Sequence, residues 1–100
     1  MYMNVWAIDK DPPIKVLLVE LVHRYGENTL AMINRENHFQ AIEICPVGNP
    51  ELSAYVYTFG QRRGCYGIDL KYPIVTHNII GENEDQSLEH VLEIIDTHLF

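Results

Sequence analysis

Base is what this chain runs out of. Its last lysine or arginine is Lys71, and Tyr72 to Phe100 contains none. That stretch carries Glu82, Glu84, Asp85, Glu89, Glu93 and Asp96, a local charge of −6 within a total of −7. Nucleic-acid binding relies on lysine and arginine to neutralise phosphates, so the balance excludes it as a general activity. Apolar runs are short as well. Val16–Val19 is four residues and no run is longer, whereas a spanning helix needs ~20, so no membrane association is expected. Cysteine is scarce: Cys45 and Cys65 are the only two, with no CxxC spacing. That excludes a disulfide framework and gives a poor start for zinc. Serine is as scarce, with only Ser53 and Ser87 and no G-x-S-x-G around either. No phosphate-binding glycine loop of the form G-x-x-x-x-G-K-[ST] is present. The opening MYMNVWAIDK has neither the basic start nor the apolar stretch of a secretory signal. Cytoplasm is the compartment expected from it.

What is present is an ordinary globular composition, 47% hydrophobic and 21% charged over 100 residues. The disordered class does not fit, and the length suits one domain spanning residues 1–100. Tyr2 to Asp9 reads as a strand, short and aromatic-rich, broken by DKDPP. Asp11 is positioned to cap a helix that starts with Pro12 and Pro13, whose missing N–H groups would have no helical acceptor anyway. Ile14, Leu17, Leu18, Leu21, Val22 and Tyr25 then form one apolar stripe at helical spacing. Gly26 supplies the stop. Val16 and Val19 lie off that stripe, which suggests a helix covered on more than one side.

The middle reads as a meander of four strands, Thr29 to Asn34, Phe39 to Cys45, Leu52 to Phe59 and Cys65 to Tyr72. The loop PVGNP separates the second from the third. GQRRG is the expected hairpin tip between the third and fourth. Alternation puts Tyr55, Tyr57 and Phe59 on one face against Leu52, Ala54 and Val56 on the other. Tyr66, Ile68, Leu70 and Tyr72 alternate in the same way against Gly67, Asp69 and Lys71. Ile74 to Ile80 is apolar but unpatterned, a short extra strand or a buried connection. Ser87 is an N-cap for a last helix striped by Leu88, Val91, Leu92, Ile95 and Leu99. The expected fold is therefore α+β, in the order β-α-β-β-β-β-α. Its sheet is mainly antiparallel, of about five strands, with both helices packed on one face.

Three groups of residues could carry function. Arg62 and Arg63 are adjacent on a glycine-flanked turn, where arginine forks suit carboxylate or phosphate. Paired turn arginines are usually solvated, and here they read as a soluble hairpin tip, available to acids on a partner or a second copy. Tyr55, Tyr57 and Tyr66 form an aromatic hairpin face, either packed internally or offered to a partner. Glu82, Glu84, Asp85, Glu89, Glu93 and Asp96 form the acidic surface.

Five histidines raise a metal hypothesis, but none falls in H-x-x-x-H spacing, and His90 with Glu93 supplies only two ligands on one helix face. No metal and no cofactor is expected. His98 lies near the negative end of the last helix, where a cation suits the dipole. Protonating all five histidines would move the net charge from −7 to −2, so charge-driven binding should weaken in mild acid. Glu43 and Asp69 are a candidate carboxylate pair on opposite strands, and Cys65, beside the arginines, a candidate nucleophile. None of these is a catalytic signature. The expectation is a protein-binding module, of the inhibitor or immunity type, that neutralises a basic partner such as a nuclease toxin. The alternatives are a homodimeric structural or assembly subunit joined through the aromatic face, and a small enzyme using Cys65 or His77.

Overall fold

The computed structural model describes residues 9–26, 28–33, 38–71 and 84–100. Over these the chain is an α+β unit of one antiparallel sheet and two helices. The elements are α1 (Pro12–Tyr25), β1 (Leu30–Ile33), β2 (Ala41–Pro46), β3 (Ser53–Tyr57), β4 (Gly67–Lys71) and α2 (Leu88–Leu99). The sheet order is β1-β2-β3-β4, a plain meander. Four strands are described where about five were expected. The anticipated first strand, apart from Asp9, and the segment Ile74 to Ile80 lie outside the described residues.

Alternation along the strands explains the layering. Ile42, Val56 and Ile68 are in register across β2, β3 and β4, and so are Ile44, Ala54 and Leu70. Residues in register share a face. That face, with Leu30, meets Ile14, Leu17, Leu18 and Leu21 of α1 and Val91, Leu92, Ile95 and Leu99 of α2 in one core. Both helices thus lie on one side, as the two sequence stripes require. Each fully buried aliphatic side chain contributes about 2 kcal/mol relative to exposure. Val16 and Val19 are 43% and 37% exposed, so the second side of α1 is not covered as expected.

The opposite face is built differently. Ala41, Cys45, Ser53 and Tyr57 are all buried there. Tyr57 stands opposite Gly67 in the register, and a Cβ on Gly67 would collide with its ring, the phenol oxygen lying 2.6 Å away. Only glycine leaves room for a ring laid over the neighbouring strand.

The helix starts differ from one another. Ser87 caps α2 with its hydroxyl, which accepts the His90 N–H at 3.2 Å. Asp11 occupies the N-cap position of α1 without capping through its side chain. Pro13 has no N–H to give, and the next two amides already donate to the Asp11 carbonyl at 2.9 and 3.1 Å. The carboxylate turns instead toward the Thr58 hydroxyl, a long 3.5 Å contact. Gly26, at φ 83°, closes α1 by donating its N–H to the Val22 carbonyl. At the end of both helices Tyr25 stacks on Phe100, which follows α2, at 4.1 Å between ring centres.

Candidate functional site: the outer face of α2 and its groove

The connection between β3 and β4 is longer than the five-residue tip read from GQRRG. It runs over residues 58–66 as two successive turns, closed by Gln61 N–H to the Thr58 carbonyl at 3.2 Å and Cys65 N–H to the Arg62 carbonyl at 2.9 Å. Gly60 and Gly64 have φ of 71° and 80°, which side chains rarely adopt. This loop grips the segment ahead of α2. The Arg62 N–H donates to Asp85 Oδ1 at 2.8 Å, and the Asp85 N–H donates to Gln61 Oε1 at 2.6 Å. Next to them Tyr66 and Gln86 exchange both backbone bonds at 2.8 Å. The Arg62 guanidinium adds an ion pair to Asp85 at 3.7 Å, with its side chain 76% exposed. Arg62 therefore has a partner within its own chain. The strong contact is made by its backbone, and such an exposed ion pair contributes little. Arg63 is exposed.

The acidic set divides in the same manner. Asp85 holds the hairpin loop, Glu89 pairs with Arg24 across the helices at 3.7 Å, and Asp96 accepts the Tyr25 hydroxyl at 2.5 Å. Burial, then this hydrogen bond and the charge of Asp96, pushes the Tyr25 phenol up to about 12. Glu84 and Glu93 are exposed, and among the described residues neither forms an ion pair. Glu82 lies outside the described residues.

The aromatic face is largely internal. Tyr66 is 4% exposed, sits in the helix-side core, and donates its hydroxyl to the Pro13 carbonyl at 2.8 Å. Tyr57 is buried on the opposite side, between Tyr55 at 5.8 Å and Phe59 at 4.8 Å. Burial, and then the charges of Asp69 and Glu84, raise its phenol above the ordinary value. Of the three tyrosines only Tyr55 is half-exposed. The partner-facing aromatic surface expected from the hairpin therefore shrinks to Tyr55 and Phe59, because alternation sends Tyr66 to the helices and Gly67 admits Tyr57.

The other chemical candidates are not assembled. Glu43 and Asp69 are separated by Tyr55, which stands in register between them. They are two strands apart, roughly 10 Å at ordinary strand spacing. Ser53 is buried and gives its hydroxyl to Glu43 Oε2 at 2.8 Å. His98 does approach Ser53, but through the backbone. Its Nε2 lies 2.9 Å from the Ser53 carbonyl and 3.1 Å from the Lys71 carbonyl. Both are acceptors, so Nε2 carries the proton and ties α2 to the ends of β3 and β4. This is a structural bridge, more specific than the dipole role expected of His98. Cys45 is buried and Cys65 half-buried, both as thiols. Among the described residues no three His, Cys, Asp or Glu side chains converge as metal ligands, and no helix is long and apolar enough to cross a membrane.

The described residues also form a concave feature. A groove of about 340 Å³ lies where α2 meets the sheet at β4, lined among the described residues by Leu70, His90, Glu93, Ile94, Thr97 and His98. The five helical positions are one stripe at i, i+3, i+4, i+7 and i+8. Leu70 and Ile94 make an apolar floor, and His90, Glu93 and Thr97 a polar rim. In sequence, the His90–Glu93 spacing was visible as a two-ligand pair. Ile94, Thr97 and Leu70 carried no signal, because the groove exists only once the helix is laid beside the end of β4.

No family model matches this chain, and neither a curated protein nor a solved structure matches it.

Proposed function

We propose that this protein is a protein-binding module whose α2 face engages a basic partner, in the manner of a small inhibitor or immunity protein that neutralises it. The observation that carries the reading is the unequal use of the acids. Asp85 and Asp96 accept hydrogen bonds within the chain and Glu89 faces Arg24, whereas Glu93 stands exposed beside the groove on α2, with no ion pair among the described residues. Charge of this kind speeds encounter and rejects wrong partners more than it supplies affinity.

The dimer reading loses most of its surface with the burial of Tyr57 and Tyr66. Among the described residues neither a Ser–His nor a carboxylate pair is assembled for the enzyme reading, and His77 lies outside them. The test is capture of partners by the tagged chain from its native extract, at low and high salt, with light scattering on the purified chain. A stoichiometric basic protein released by salt supports the module. A salt-resistant homodimer with no partner refutes it.

A further inference from the structure

Two exposed carboxylates are weak anchors by themselves. In bulk water a pair of unit charges 4 Å apart gains only about 1 kcal/mol. Interfaces that rely on charge also place a few long side chains in desolvated recesses, arginine prominent among them. Resting on the reading above, we infer that the groove between α2 and β4 seats an arginine side chain of the basic partner, with Glu93 as its counter-charge.

The lining fits that side chain part by part. Leu70 and Ile94 offer apolar surface to the methylene stem, which favours burial while its charged head stays at the rim. Glu93 has no ion pair among the described residues and can accept a guanidinium fork through both oxygens. The His90 ring offers a flat surface for a planar guanidinium, and the Thr97 hydroxyl a further acceptor. Lysine, a point charge with no planar fork, uses less of this arrangement.

Among the described residues no fixed cation competes. Lys71 follows Leu70 directly but alternation turns it to the opposite face of the sheet, and Arg24 is engaged with Glu89. His98 directs Nε2 at the carbonyls of Ser53 and Lys71 and so walls the groove. A recess of this size sits at the small end of ligand pockets, suited to one long side chain with the backbone that carries it.

The experiment is an amide-resolved NMR titration of the full chain with the blocked peptide acetyl-Gly-Arg-Gly-amide. The citrulline and lysine versions of the same peptide are titrated beside it. Saturating shifts should cluster at Leu70, His90, Glu93, Ile94, Thr97 and His98, with an affinity roughly in the millimolar range. Citrulline should not bind, and lysine should bind more weakly. Glu93→Gln should weaken the arginine peptide roughly tenfold, the worth of a charge-assisted pair. Glu84→Gln, which removes the same charge elsewhere, should leave its affinity unchanged. Thr97→Arg, which fills the groove from within, should abolish the clustered shifts while keeping the spectrum folded.

Shifts spread over the acidic surface, with Glu84→Gln and Glu93→Gln equal in effect, would overturn the groove and leave the charge-based module standing. Equal binding of lysine, or no shifts at the groove, would overturn the inference too. The capture experiment decides the module separately.

Discussion

Adding one methyl group at Gly67 should damage this protein more than its small size suggests. Tyr57 is 7% exposed and lies over Gly67, with the place of a Cβ only 2.6 Å from its hydroxyl oxygen and nearer still to its ring. Ordinary carbon contacts need about 3.5–4.0 Å, so the ring must shift by more than an ångström. It is wedged between Tyr55 and Phe59 and has little freedom to do so. Overpacking of this kind costs about 1–3 kcal/mol. Ejecting the ring altogether would expose roughly 150–250 Å² at ~25 cal/mol per Å², which sets the upper bound near 5 kcal/mol. Gly67→Ala should therefore cost about 3 kcal/mol, a fall in Tm of roughly 10–20 °C for a domain of this length.

The backbone at Gly67 is not in the left-handed region, so strain plays no part. With Tyr57→Ala as background the same substitution should be neutral, or stabilising by about 0.5–1 kcal/mol, because glycine is a poor strand residue. Urea unfolding of the four chains gives the cycle. Costs that add within about 0.5 kcal/mol would refute the reasoning.

Other consequences follow from single contacts. Tyr25 must stay protonated to donate to Asp96, and its folded-state pKa is raised from 10.0 to about 12. A raised value means the contribution is complete below pH 10 and is lost as pH climbs from 10 to about 12. Tyr25→Phe should lower stability at pH 8 and flatten the alkaline decline above pH 10, read by thermal melts, whereas an unchanged alkaline limb would contradict it. In the hairpin clasp the backbone carries the bond, so Arg62→Ala combined with Arg63→Ala should unfold cooperatively within about 0.5 kcal/mol of the parent. Asp85→Ala removes the acceptor of the Arg62 N–H and should cost about 1–2 kcal/mol. The opposite ranking in chemical denaturation would show that the arginine side chains hold the loop.

Much of the architecture was legible because it rests on periodicity. Ile14, Leu17, Leu18 and Leu21 read as one helix face, and Ala54 and Val56 against Tyr55 and Tyr57 as two strand faces, since spacings of 3.6 and 2 are local properties. Ser87 was legible as a cap for the same reason. What escaped depends on distant parts meeting. GQRRG looked like a solvated tip, but Asp85 reaches back to it from more than twenty residues away and Gln86 pairs with Tyr66 just beyond it. Asp11 carried the type and position of a capping residue, but Pro13 lacks one donor it would have served and the Ile14 amide donates to its carbonyl instead. Glu43 and Asp69 were on strands of one meander, yet the register set Tyr55 between them. The groove combined a helix stripe with Leu70, which no pattern in either segment announces.

The central claim is that the exposed charge of α2, and not the acidity of the whole chain, selects the partner. It is tested most directly by repeating the capture with Glu93→Lys beside a Glu84→Lys control. Both variants carry the same net charge, and both substituted positions are exposed. The account predicts that the basic protein captured by the parent is kept by the Glu84 variant and lost by the Glu93 variant. Equal retention by both would contradict it.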